Sequence, residues 1–227
     1  ITDHGVMYGA VDFYKECKKQ GIKPIIGCEV YVAPQSRFDK TSSYGKYYHM
    51  VLLCKNHTGY QNLIKLVSKG FTEGFYTKPR IDDELLAEYH EGLVCLSACL
   101  AGEIPQKLLD GDYAGAKSKA EFYRDIFGSE NFFIELQDHG IEEQKRIIPS
   151  LIKIAREIGV DIVATNDCHY IEKQDSTVHN ILLCIQTNRT VNDSDRMEFK
   201  TSEFYLKTED EMREVFASSV SYTHLTL

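Results

Sequence analysis

Short β-branched apolar runs that end in carboxylate and imidazole constrain this chain more than any other feature. Ile1-Thr2-Asp3-His4-Gly5 opens it, and Ile162-Val163-Ala164-Thr165-Asn166-Asp167-Cys168-His169-Tyr170 repeats the pattern far downstream. Between them lie Gly27-Cys28-Glu29-Val30-Tyr31, His49 leading Met50-Val51-Leu52-Leu53, and Ser97-Ala98-Cys99-Leu100 after another apolar run. An α/β sheet delivers functional side chains from the carboxyl ends of its strands in this way. Strands are expected over residues 1–3, 23–32, 49–54, 93–97, 131–137, 161–165 and 204–206. Helical spacing is expected over 10–20, 58–69, 104–110, 113–127, 142–158, 179–186 and 208–216. Residues 33–47 and 70–83 read as loops. Candidate ligands come from many strands and not from one crevice, so a β/α barrel is preferred over a doubly wound sheet. The chain begins at Ile, inside an expected strand, and reads as a fragment.

Composition narrows the function classes. A net charge of -8 argues against a surface that binds nucleic acid in bulk. One strand end entering a metal site remains compatible with it, because bound cations reverse the local field. Seven cysteines without close-set pairs, several of them in apolar runs, fit reduced thiols and a cytoplasmic setting better than disulfides. No apolar run reaches the roughly 18 residues of a membrane helix, so no membrane partner is expected.

The chemistry of the runs points to metal. Glu29 and Asp167 offer carboxylates that can bridge ions, His4, His49 and His169 offer nitrogen, and Cys99 offers a thiolate. Such a mixed set suits Zn²⁺, Mn²⁺ or Fe²⁺. Two or three of these ions activate water and clamp a phosphoryl group. Taken singly, an Asp-x-His is more often a capped turn and Cys99 a buried thiol; only the joint pattern points to a site. Lys78 and Arg80 are candidate phosphate contacts or else loop anchors. His139 is a candidate cleft residue or else a turn residue. Phe71, Phe75 and Tyr76 either stack on a terminal base or pack a loop.

These segments, with Gly59-Tyr60-Gln61-Asn62-Leu63, Lys78-Pro79-Arg80 and Gln137-Asp138-His139-Gly140, resemble the PHP (polymerase and histidinol phosphatase) domain. Within that family they are similar to the branch at the start of bacterial replicative DNA polymerase III alpha subunits. The resemblance covers roughly residues 1–217. It implies a distorted seven-stranded, TIM-like β/α barrel, here without its first strand, whose His-x-His pair and acidic ligand would lie upstream of Ile1. It implies His4, Glu29, His49, Cys99, Asp167 and His169 as ligands of up to three ions, with Asp167, His169, His4 and Glu29 central to catalysis and Asp3 orienting its neighbour. Metal-assisted phosphodiester hydrolysis, as 3′–5′ proofreading, is the implied activity of the domain. Nucleotidyl transfer with Mg²⁺ would belong to the parent alone. Implied partners are the DNA primer 3′ end, the sliding clamp and the proofreading or clamp-loader subunits. The alternatives are a non-catalytic, metal-stabilised scaffold and a stand-alone phosphatase. The expected divisions are a barrel over 1–186, a connection towards a polymerase palm over 187–218, and a non-native tail over 219–227 that contains His224.

Overall fold

A computed structural model describes residues 1–41 and 47–217. The expected tail at 219–227, with His224, lies outside the described residues. Seven strands and eight α-helices are present among those described. The strands are β1 Thr2–His4, β2 Gly27–Val32, β3 Tyr48–Cys54, β4 Arg80–Ile81, β5 Leu93–Leu96, β6 Phe132–Leu136 and β7 Ile162–Ala164. The helices are α1 Ala10–Lys19, α2 His57–Thr72, α3 Asp83–Tyr89, α4 Glu103–Leu109, α5 Tyr113–Phe127, α6 Glu142–Ile158, α7 Ser176–Thr187 and α8 Glu209–Phe216. The class is the expected mixed α/β one of a TIM-like barrel family, with the sheet not closed. The chain forms two compact units, residues 1–134 with 153–161, and residues 135–152 with 162–227.

In the first unit the strand path runs β1-β2-β3-β5-β6 and is open. β2 is buried along its whole length, which explains its nearly unbroken apolar sequence. Its pairing with β1 is parallel, because α1 carries the chain back between them. Its pairing with β3 is antiparallel, with Gly27–Val32 set against Leu53–Tyr48. β4 takes the β2 edge that β1 leaves, opposite Tyr31 and Val32. Leu52, Leu63, Leu66, Leu85, Phe132 and Ile134 fill the core of this unit and are fully buried.

Helix starts follow their caps. Asn56 Oδ1 accepts from Gly59 N–H at 3.0 Å, and Asp82 Oδ1 accepts from Leu85 N–H at 3.2 Å. Replacing Asn56 by alanine should lower the unfolding free energy by about 1 kcal/mol in a denaturant titration, because one N–H at the α2 terminus loses its partner. A drop under a few tenths would show that Gly59 finds another acceptor.

Two expectations change. The stretch 70–83 is not all loop: β4 and the start of α3 fall in it, because Ile81 and Arg80 are buried against β2 and Asp82 caps a helix. Residues 204–206 form no strand; Tyr205 makes only an isolated parallel bridge with Tyr170. In the second unit β7 adjoins the end of β6, where Thr165 N–H donates to Leu136 O at 3.0 Å. The Thr208–Glu211 capping box starts α8, as its sequence signature suggests.

Candidate metal centre

Strand register assembles the first cluster. His4 lies beside Glu29 in the parallel β1–β2 pair, and Tyr31 lies opposite His49 in the antiparallel β2–β3 pair. Glu29 and Tyr31 are two apart on one strand, so His4, Glu29, Tyr31 and His49 share one sheet face. Because β3 runs antiparallel, the start of β3 and not its end meets the carboxyl half of β2. The loop after β5 completes the group. His49 N–H donates to Ala101 O at 3.0 Å and Gly102 N–H to Cys99 O at 2.9 Å, which clamps the loop against the start of β3. Ala98 adopts a left-handed φ of 64° to make the turn.

The resulting distances are short. His4 Nδ1 is 2.7 Å and His49 Nδ1 3.3 Å from Glu29 Oε1, and Cys99 Sγ is 3.6 Å from His49 Nδ1. One donor atom from each of Glu29, His49 and Cys99 falls within 4.8 Å of the others. Carboxylate, imidazole and thiol at this spacing form a set that can hold a divalent ion. Burial would raise the Glu29 pKa, but hydrogen bonds and charge from His4 and His49 outweigh it and hold the carboxyl at about 2. The ionised acceptor is therefore in place. Cys28, beside it, stays a thiol and not a metal ligand: burial pushes its pKa up to about 12, and its S–H is directed at Asp3 O and Val6 O. Asp3 is occupied in a local role, accepting from Gly9 N–H at 2.9 Å.

Asp167 and His169 lie in the second unit. His169 Nδ1 is 3.0 Å from Asp167 O and 3.6 Å from Asp167 Oδ1. His139 is fully buried there and stacks on Phe204 at 4.2 Å. Its Nε2 accepts from Asp167 N–H at 3.1 Å, and its backbone N–H donates to Gln144 Oε1 at 2.8 Å. Burial lowers the His139 pKa, which suits this acceptor role. As a substrate contact His139 is therefore corrected: it positions the backbone at Asp167 from below the surface.

Arg80 is corrected in the same way. It is fully buried, and its guanidinium donates to Gly74 O and Asp39 O, the latter at 2.7 Å. It anchors the loop after β2 instead of facing a phosphate. Lys78 is exposed, with its ammonium 5.4 Å from the Tyr31 ring centroid. Tyr31 and Tyr47 form a wall of the site beside the expected donors. Tyr31 packs edge-on to His49 at 5.3 Å, and Tyr47 lies parallel to the same imidazole at 5.9 Å. No sequence signal announces this wall, since it follows from a register that only the folded sheet defines.

A family profile described as PHP domain matches residues 1–139, which is more than half of the chain. The chain belongs to the PHP domain family. The matched segment of this PHP domain contains all four members of the first cluster. The domain is similar to the DNA polymerase III subunit alpha of Treponema pallidum (strain Nichols), 53% identical over 218 residues, covering 95% of the chain and 19% of that relative. It is 49% identical over 216 residues to that of Thermus aquaticus, covering 94% of the chain and 18% of the relative. It is 46% identical over 218 residues to that of Borreliella burgdorferi, again covering 95% and 19%. The PHP chain thus spans about a fifth of the length of these curated relatives. Among the described residues no helix is long and apolar enough to cross a membrane.

Proposed function

We propose that this chain is the PHP part of a bacterial replicative DNA polymerase III alpha subunit, and that it hydrolyses phosphodiesters at a DNA 3′ end. The observation that carries the reading is the Glu29, His49 and Cys99 donor set with His4 against it, within a segment matched to the PHP family. Glu29, His49 and Cys99 would hold one ion, with His4 beside them; Asp167 and His169 would serve as donors in the second unit. Zn²⁺, Mn²⁺ or Fe²⁺ suits the mixed donors, and up to three ions are proposed. Such ions lower the pKa of a bound water and offset charge on a phosphoryl group.

The chain's own residues do the rest. Glu29 stays ionised and holds the His4 ring through Nδ1. The His4 side chain is 57% exposed, so its ring edge meets an entering substrate. Lys78, exposed over Tyr31, supplies a cation to a phosphate oxygen. His139 fixes the Asp167 backbone, and with it the spacing of Asp167 and His169.

In the parent, Mg²⁺ would serve nucleotidyl transfer, and the partners would be the primer end, the sliding clamp and the proofreading or clamp-loader subunits. The setting is cytoplasmic. The barrel is assigned to 1–186, the connection to 187–218 and a foreign tail to 219–227. The net charge of -8 favours one competing reading, a metal-stabilised scaffold that touches little DNA. The intact parent decides between them. Metal-dependent trimming of a primer 3′ end is expected, and Asp167→Asn with His169→Ala should abolish it. A metal-loaded parent that unfolds on chelation but never trims a primer would establish the scaffold.

A further inference from the structure

The loop that carries Asp167 and His169 is laced to a segment outside the donor set. Residues 199–207 run alongside residues 166–170 and are tied to them by backbone and side chain. His169 N–H donates to Phe204 O at 2.8 Å, and Leu206 N–H to Tyr170 O at 3.1 Å. Between these contacts lies the parallel bridge of Tyr170 with Tyr205. The Asn166 amide donates to two carbonyls of the same segment, Glu203 O at 3.2 Å and Tyr205 O at 2.6 Å. Lys207, whose side chain is only 2% exposed, donates back to Glu203 O and reaches Asn166 Oδ1 at 3.5 Å.

Rings of that segment pack on the donors themselves. Phe199 lies edge-on to His169, with centroids 4.8 Å apart and planes at 73°, and Phe204 meets the same imidazole edge-on at 5.9 Å. His179 of α7 closes a further side at 5.3 Å, and itself rests on Phe199 at 4.8 Å. Phe204 also stacks on His139, the ring that accepts from Asp167 N–H, and Thr201 Oγ1 donates to His139 O at 2.7 Å. The orientation held in this way has chemical content. Asp167 O can only accept, so His169 Nδ1, 3.0 Å from it, carries the proton. A neutral imidazole then has its lone pair on Nε2, the atom through which it would ligate an ion. The side chain's own torsions do not enforce this, since the outer torsion of histidine is broad and roughly two-fold. The rings around it do.

We propose that residues 199–207 are a positioning strap for the second donor pair: Phe199 and Phe204 hold the His169 ring in its ligating orientation, and Asn166 latches the strap to the loop. The proposal rests on the reading of Asp167 and His169 as metal donors. The strap falls in the segment assigned above to the connection, beyond the residues 1–139 that the family profile matches. Metal binding in the second unit therefore depends on how that connection is seated, and displacing it would weaken the hold on an ion without altering a ligand.

The test uses the full chain with ¹⁵N-labelled histidine, Zn²⁺ alone as the probe, and long-range ¹H–¹⁵N spectra above the usual imidazole range of pH. His169→Ala identifies the His169 signals. Wild type should show the Nδ1–H tautomer at His169 and a shift of its Nε2 as Zn²⁺ is added. Phe199→Leu should mix the two tautomers and raise the Zn²⁺ midpoint at His169 by about 10–100-fold, the loss expected when a partner that orients a ligand goes. Phe199→Tyr keeps the ring and should behave as wild type. Asn166→Ala removes the latch and neither ring; it should raise the midpoint as well, and it decides the matter if the leucine variant fails to fold. A lower melting temperature with tautomer and midpoint unchanged reduces the segment to packing and overturns the strap. A wild type whose His169 ignores Zn²⁺ overturns instead the reading of the second pair as metal donors, and the strap with it.

Discussion

Replacing Arg37 by methionine is expected to lower the unfolding free energy by about 3 kcal/mol, and the melting temperature by roughly 6–12 °C. Arg37 is 7% exposed and Asp82 3%. The guanidinium Nη1 donates to both Asp82 oxygens at 2.9 and 3.0 Å, and Nε donates to Glu73 at 2.7 Å. Burial opposes the charge on Arg37, but Glu84, Glu73 and Asp82 together raise its pKa above the ordinary value. Methionine keeps most of the packing and removes the charge, which leaves the Asp82 carboxylate buried without its cation. Two N–H donors, from Arg37 and Leu85, still reach Asp82, which places the loss at the low end of the range for a broken buried pair. Glu84 is 76% exposed on its side chain and should matter little: Glu84→Gln is expected within about 0.5 kcal/mol of wild type. Chemical denaturation of the two variants checks both numbers. A loss under 1 kcal/mol for Arg37→Met would mean that the backbone N–H groups of Arg37 and Leu85 alone suffice for the buried Asp82.

That network marks the limit of what the chain announces about itself. α5 and α6 match their expected bounds, because Asp112 caps one, Gly128 and Gly159 end them with positive φ, and their apolar spacing is long and regular. α3 starts at a capping and first-turn pattern, Asp82-Asp83-Glu84, but Lys78-Pro79-Arg80 just before it carries loop chemistry that hides the helix in the sequence. Cations show the same limit. Lys78 and Arg80 are two residues apart, a spacing that would put both on one side of a regular strand, yet one is exposed and the other fully buried because β4 begins only at Arg80. Nothing in their identity says which is which until β4 pairs with β2. The candidate ligands were legible as residue types at apolar run ends. Their proximity was not, since Glu29 and His49 meet through an antiparallel register and Cys99 through a loop clamped by backbone hydrogen bonds. Arg37 had no signal at all. Its partners are 36 to 47 residues away, and any exposed arginine would read the same in sequence.

Loss of the Glu29 carboxylate should have the larger functional effect. Glu29→Gln is expected to weaken divalent-ion binding in the first unit by at least about 100-fold, beyond the roughly 10–100-fold typical of losing a residue that merely orients a ligand. The side chain is isosteric, so the fold is retained, but the charge and one strong acceptor disappear. Glu29 is also the hub: His4 and His49 both meet its Oε1, at 2.7 and 3.3 Å. An amide there presents either a weaker acceptor or an N–H that repels the imidazole donors, so both rings lose the contact that sets their orientation. Co²⁺ titration separates these effects. Wild type should show an intense near-ultraviolet thiolate-to-metal band from Cys99, because the thiolate lies with the other donors. Cys99→Ser should remove that band while still binding metal, more weakly. Glu29→Gln should keep the band at saturating Co²⁺ but move the midpoint to higher concentration. A Glu29→Gln midpoint equal to wild type would place the ion elsewhere, and a wild type without the thiolate band would take Cys99 out of the site.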